Sequence, residues 1–153
     1  MTTVLDLGLD LGVDVRVRPM TGADETALDQ VFAGLSARSR FLRYHAATPR
    51  LTGRMRQALL AIDGHRHRAL VAEVGDRAVG IARLIALDAR TAEVAVEVVD
   101  AWQGRGVGTL LLRGLADLAR AGDYDEIVAD VLPENTVMLR LLDRFPPVTL
   151  NGH

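Results

Sequence analysis

The sequence predicts an α+β fold, a mixed and mostly antiparallel sheet flanked by helices in a three-layer α/β arrangement. Two observations carry this expectation. Three alternating segments between residues 68 and 99, joined by turns of two or three residues, imply an antiparallel meander. A strand, a helix and a strand then follow across residues 91–132, an order that nearly always forms a parallel crossover. At 153 residues and 49% hydrophobic content the chain is long enough for one domain around one core. The expected organisation is a single domain over 1–153, with 1–12 as an N-terminal extension.

The elements follow in order. "VDVRVRPM", from Val13, alternates apolar and charged residues up to Pro19, which predicts a first strand with one wet face. "ADETALDQVFAGL" places Leu28, Val31, Phe32 and Leu35 at helical spacing, and Asp24 and Glu25 in its first turn suit the helix dipole. An irregular arginine-rich stretch leads to a second helix, "LTGRMRQALLAI". "RALVAEV" and "RAVGIARLIALD" are strands joined by the hairpin turn Gly75-Asp76, and "TAEVAVEVV" follows after Asp88-Ala89-Arg90. A third helix runs from about Gly106 to Ala121, with Leu111, Leu115 and Leu118 on one stripe and Arg113, Asp117 and Arg120 opposite. "DEIVADVL" is a strand, and a last helix runs from Pro133 to Phe145.

Composition narrows the chemistry. There is no cysteine, so disulfides, thiolate metal sites and cysteine nucleophiles are excluded together. All 18 basic residues are arginine, which also excludes a Schiff-base lysine. A net charge of -2 gives no global attraction to nucleic acid. No apolar run reaches the ~18 residues of a membrane span. The N-terminal "MTTVLDLGLDLG" has acidic punctuation where a secretory leader has a basic region, so the expectation is a cytoplasmic protein without membrane partners.

The chemistry centres on "DAWQGRGVGTLLL", where Gly104, Gly106 and Gly108 open a helix. Helix N-termini carry unpaired N–H groups and partial positive charge, and glycines let a phosphate reach them. The nucleotide P-loop needs a lysine that is absent, and the dinucleotide fingerprint needs a glycine where Thr109 stands. A turn that only connects strand to helix is the plain alternative.

Gln103-Gly104-Arg105-Gly106-Val107-Gly108 resembles the Q/R-x-x-G-x-G/A motif of the GNAT superfamily of acetyl-CoA-dependent N-acyltransferases, and stands between the fourth strand and third helix as in that family. The likeness in element order spans about residues 13–145. "SARSRFLRYHAATPR" and "AEVAVEVVDAWQGRGVGTLLL" are also similar to the catalytic domain of bacterial protein lysine acetyltransferases. The resemblance implies that backbone N–H groups of Gly104 to Thr109 hold the pyrophosphate of coenzyme A, Arg105 adding a charged contact. It also implies that backbone near Glu97, Val98 and Val99 meets the thioester and pantetheine arm. No metal is implied.

Acyl transfer to an amine needs a base, a donor to the oxyanion and a proton for the leaving thiolate. Glu93 and Glu97 share a strand face, about 13 Å apart at ~3.3 Å per residue. Glu93 matches the family's base and Glu97 is the alternative; two glutamates on the wet face of a half-buried strand explain the pattern without catalysis. Asn135 matches an asparagine that contacts the cofactor arm, and is equally an N-cap for the last helix. Where many family members have a tyrosine as acid, this chain has Leu142. Tyr124 is expected at the far end of its strand, which leaves Tyr44 or solvent.

The family continues past its last helix with two strands, whereas "PPVTLNGH" has length for one short strand. The N-terminal "VLDLGLDL" or a second subunit in a homodimer are candidates to complete the sheet, and an open acceptor side is the third reading. His65 and His67 read as solvated loop residues, and "RSRFLRYH" as either a steering patch or a charged helix face. The expected function is direct acetyl transfer from acetyl-CoA to an amine acceptor, a protein lysine or a small-molecule amine. The alternative is a non-catalytic acyl-CoA-binding or interaction module.

Overall fold

The computed structural model describes residues 3–4, 14–143 and 148–152. Seven strands form one sheet in sequence order: β1 (Thr3–Val4), β2 (Arg16–Met20), β3 (His67–Val74), β4 (Arg77–Ala86), β5 (Thr91–Val98), β6 (Glu126–Val131) and β7 (Val148–Gly152). Pairing is antiparallel from β1 to β5 and parallel from β5 through β7. The expected meander and crossover are both present. Gly75, at φ 61°, makes the turn between β3 and β4, a backbone conformation that glycine adopts without strain.

Among the described residues five helices flank the sheet: α1 (Glu25–Ala33), α2 (Ala37–Tyr44), α3 (Gly53–Leu60), α4 (Val107–Ala121) and α5 (Thr136–Leu142). The predicted stripes are buried in large part. Leu28, Val31 and Phe32 of α1 and Leu111 and Leu115 of α4 enter the core, joined by Leu110 and Leu112, which the stripe did not include, while Leu118 is only partly buried. A Cβ built on Gly80 of β4 would meet Leu111 and Val107, so α4 covers the sheet face that carries Gly80 and its partner Val98. Helices α1 to α3 cover the other face.

Two features go beyond the expected pattern, helix α2 and the place of β1. The arginine-rich stretch forms a helix, α2, capped by Ser36, whose Oγ accepts the Ser39 N–H. One strand, β7, follows the last helix, as the remaining length allows. Of the N-terminal segment, Thr3 and Val4 pair with β2 at the edge opposite β7, and the rest of "VLDLGLDL" lies outside the described residues. The predicted end of the last helix at 144–145 is also outside them.

Candidate active site

Strand β5 pairs with β4 from Gly80↔Val98 to Ala86↔Ala92, but with β6 only at Thr91↔Glu126, Ala92↔Ile127 and Glu93↔Val128. Beyond Glu93 the two parallel strands part. A cleft of about 250 Å³ opens there, walled by Glu93 and Val96 of β5, Asp130 of β6, Asn135 and Met138 of α5, and the last turn of α2. His45, which ends α2 in the left-handed conformation at φ 63°, reaches across it, with Nδ1 4.0 Å from Asp130 Oδ2.

The glycine loop joins this wall to α4. After β5 a single 3₁₀ turn, Asp100–Trp102, brings Gln103 back so that its Nε2 donates to the Val98 carbonyl at 2.9 Å and lies 3.3 Å from Ser39 Oγ. Gly104 and Gly106 have φ of 73° and 94°, which side chains rarely tolerate. Gly108 is needed for a different reason: a Cβ there would fall 2.9 Å from Leu141 Cδ2 of α5. Helix α4 starts without a side-chain cap, and its first bond runs from the Leu110 N–H to the Gly106 carbonyl. The N–H groups of Val107, Gly108 and Thr109 therefore form the uncapped positive end of the helix. Val107 is buried, and Arg105 stacks over the Trp102 ring at 3.9 Å. Val99 is buried against Gly34, and the Ser36 N–H donates to Asp100 Oδ1, fixing the start of α2 to the end of β5.

Glu93 and Glu97 share a sheet face, as the alternation predicts, but their surroundings differ. Glu93 is half-buried and lines the cleft. Glu97 is 5% exposed because α2 lies over it, so the wet-face alternative does not hold for Glu97. Tyr44 donates its hydroxyl to Glu97 Oε2 at 3.3 Å, and Arg43 Nε lies 3.9 Å from the same oxygen. Burial, and then the Glu97 charge, push the Tyr44 phenol well above its ordinary pKa. Arg83, on the same face of β4, is 1% exposed. Its Nη1 donates to the Leu59 carbonyl at 2.7 Å and stands 3.0 Å from His67 Nε2. His67 is thus the first residue of β3 and a neighbour of Arg83, not a solvated loop residue.

Asn135 is the cap of α5, its Oδ1 accepting the Met138 N–H, and it also lines the cleft. Leu142 is buried in the core, and Tyr124 packs against Gly122 at the far end of α4. Of the two tyrosines, Tyr44 lines the cleft. Glu97's burial and the Arg83 contact were missed by the sequence reading. The signal that could have found them is Ser36, an N-cap residue placed before "ARSRFLRY".

The acetyltransferase (GNAT) family model matches residues 35–145, from the start of α2 past α5, and takes in the parted strands and the glycine loop. The chain belongs to the GNAT family. Acetyltransferase PA5475 of Pseudomonas aeruginosa is 31% identical over 78% of this chain and 67% of its own length. The GNAT domain of S. lividans PAT superposes with a TM-score of 0.83 at 31% identity, covering 92% of this chain and 85% of that one. A cAMP-binding acyltransferase from Mycobacterium smegmatis shares the fold, with a TM-score of 0.63 at 24% identity over 94% of this chain and 43% of its own. This GNAT protein is an N-acetyltransferase, and its reaction is acyl transfer to an amine. Among the described residues no helix is long and apolar enough to cross a membrane, and no group of three His, Asp or Glu side chains could hold a metal ion.

Proposed function

We propose that this GNAT protein moves an acetyl group from acetyl-CoA directly to a primary amine, with Glu93 as the general base. The observation that carries the reading is the cleft between the parted β5 and β6 edges, lined by the half-buried Glu93 carboxylate, on the strand that leads into the glycine loop and the uncapped end of α4. The pyrophosphate fits at the backbone N–H groups from Gly104 to Thr109, where positive φ at Gly104 and Gly106 keeps the loop open. Gln103 holds the Val98 carbonyl, and Val98 and Val99 lead the β5 edge toward the loop. Asn135, on the opposite wall, suits the pantetheine arm. Arg105 is the charged group beside the loop.

In the reaction the amine nitrogen bonds to the thioester carbon as Glu93 takes its proton. A backbone N–H on the unpaired edge of β5 is suited to steady the oxyanion. The carbon–sulfur bond then breaks, the thiolate takes a proton from water in the open cleft, since Leu142 offers none, and Glu93 gives its proton back to the hydroxide that remains. A positioned base of this kind is worth roughly 10²–10⁴ in rate.

A protein lysine is the acceptor the relatives favour, through the likeness to the PAT domain and to bacterial protein lysine acetyltransferases. Calorimetric titration tests the reading. Binding of acetyl-CoA and CoA, with none of NADH, is expected; no binding of either thioester or thiol overturns it.

A further inference from the structure

Helix α2 has no buried residue of its own, yet its last turn walls the cleft. A short helix without apolar burial is not stable alone and must be held by polar contacts. At its start these are Ser36 on Asp100, and Arg40 donating to the Phe32 and Pro49 carbonyls. At the cleft end they converge on Glu97, through the Tyr44 hydroxyl and Arg43.

Glu97 is costly to bury. Its Oε1 has no hydrogen-bond partner among the described residues, and neither do Nε and Nη2 of Arg83. The register sets Ile81 opposite Glu97 and Arg83 opposite Ala95, which makes Arg83 and Glu97 diagonal neighbours on one face. Two cations, Arg43 and Arg83, thus bracket one carboxylate that is sealed under α2. A carboxylate accepts only, so the Tyr44 proton lies toward Glu97. Donating it to a leaving thiolate would leave a phenolate beside Glu97, two like charges in a buried place.

We infer that Glu97 is a positioning residue that pins the last turn of α2 over β5, and that Tyr44 is held there as cleft wall rather than as proton donor. The inference rests on the reading that Glu93 is the base and that transfer takes place in this cleft. Arg83 is the buried cation beside Glu97 on the sheet.

Three variants of the full chain test it: E93Q, E97Q and Y44F. Hydrogen exchange is followed over residues 37–45 and over α4, with steady-state kinetics on acetyl-CoA and poly-L-lysine. E97Q and Y44F are expected to speed exchange in α2 about tenfold while α4 keeps its protection. They are expected to raise KM for poly-L-lysine about tenfold with kcat within about threefold, leaving the acidic limb of the pH profile in place. Unchanged α2 exchange in both variants overturns the pin, whether or not poly-L-lysine is accepted. A Y44F enzyme that loses kcat and the basic limb at unchanged KM makes Tyr44 the proton donor. An E97Q enzyme that loses the acidic limb makes Glu97 the base. If the wild type neither binds acetyl-CoA nor turns over, the functional reading fails separately, and exchange still decides the pin. Should E97Q not fold, Y44F carries the test.

Discussion

Arg83 Nη1 stands 3.0 Å from His67 Nε2, while His67 Nδ1 stands 3.1 Å from the Ala61 carbonyl. One assignment satisfies both contacts: Nδ1–H donates to Ala61 and the bare Nε2 accepts from Arg83. The native state therefore holds His67 neutral, and burial, followed by the Arg83 charge, lowers its pKa from the ordinary 6.5.

This relationship predicts a pH dependence of stability. A histidine with a lowered folded pKa binds a proton more readily when unfolded, so its contribution is present above about pH 6.5 and is lost as pH falls. The thermal midpoint of the wild type should fall between pH 8 and pH 5 by more than that of H67N. Parallel curves for the two proteins would show that His67 carries none of the dependence.

Gly108 and Leu141 give a second test. A methyl group at Gly108 would meet Leu141 Cδ2 at 2.9 Å, the end of a side chain that can move only partly. G108A should lower stability by about 1–3 kcal/mol in urea unfolding, as overpacking does. The double variant G108A/L141A should be less destabilised than the sum of the two single variants.

Gly104 separates strain from crowding. Nothing lies within 4 Å of a Cβ built there, so G104A meets only the cost of positive φ, about 1–2 kcal/mol. Its thermal midpoint should fall accordingly, and because the loop backbone must shift to relieve the strain, calorimetry should show weaker acetyl-CoA binding as well.

What the sequence made legible was periodicity. Alternation located β2 to β6, Gly75-Asp76 located the hairpin, and the leucine stripes located α1 and α4, because each pattern records one buried face. Depth was not legible. The alternation put Glu93 and Glu97 on one face, but that Glu97 is sealed depends on α2, a helix with no buried residue and hence no apolar stripe. Arg83 was hidden likewise: a charged residue on a strand reads as wet unless the covering helices are known. The glycine spacing of the loop pointed to its place, while the reason for Gly108 lay in Leu141, 33 residues away in sequence.

Asn135 can be divided between its two positions. N135A should lose about 1 kcal/mol of stability with the cap, whereas N135S, whose hydroxyl also caps, should keep most of it. If Asn135 also meets the pantetheine arm, both variants should weaken acetyl-CoA binding, and N135S is the informative one. Wild-type affinity in N135S would leave Asn135 as a cap alone.

The central claim is that Glu93 acts on the amine while the loop holds the acetyl donor. The most direct test compares wild type and E93Q in thiol release from acetyl-CoA with poly-L-lysine as acceptor, alongside calorimetric acetyl-CoA affinity. The account predicts affinity unchanged within about threefold and thiol release lowered by roughly 10²–10⁴. Thiol release by E93Q at the wild-type rate, with affinity intact, would contradict it.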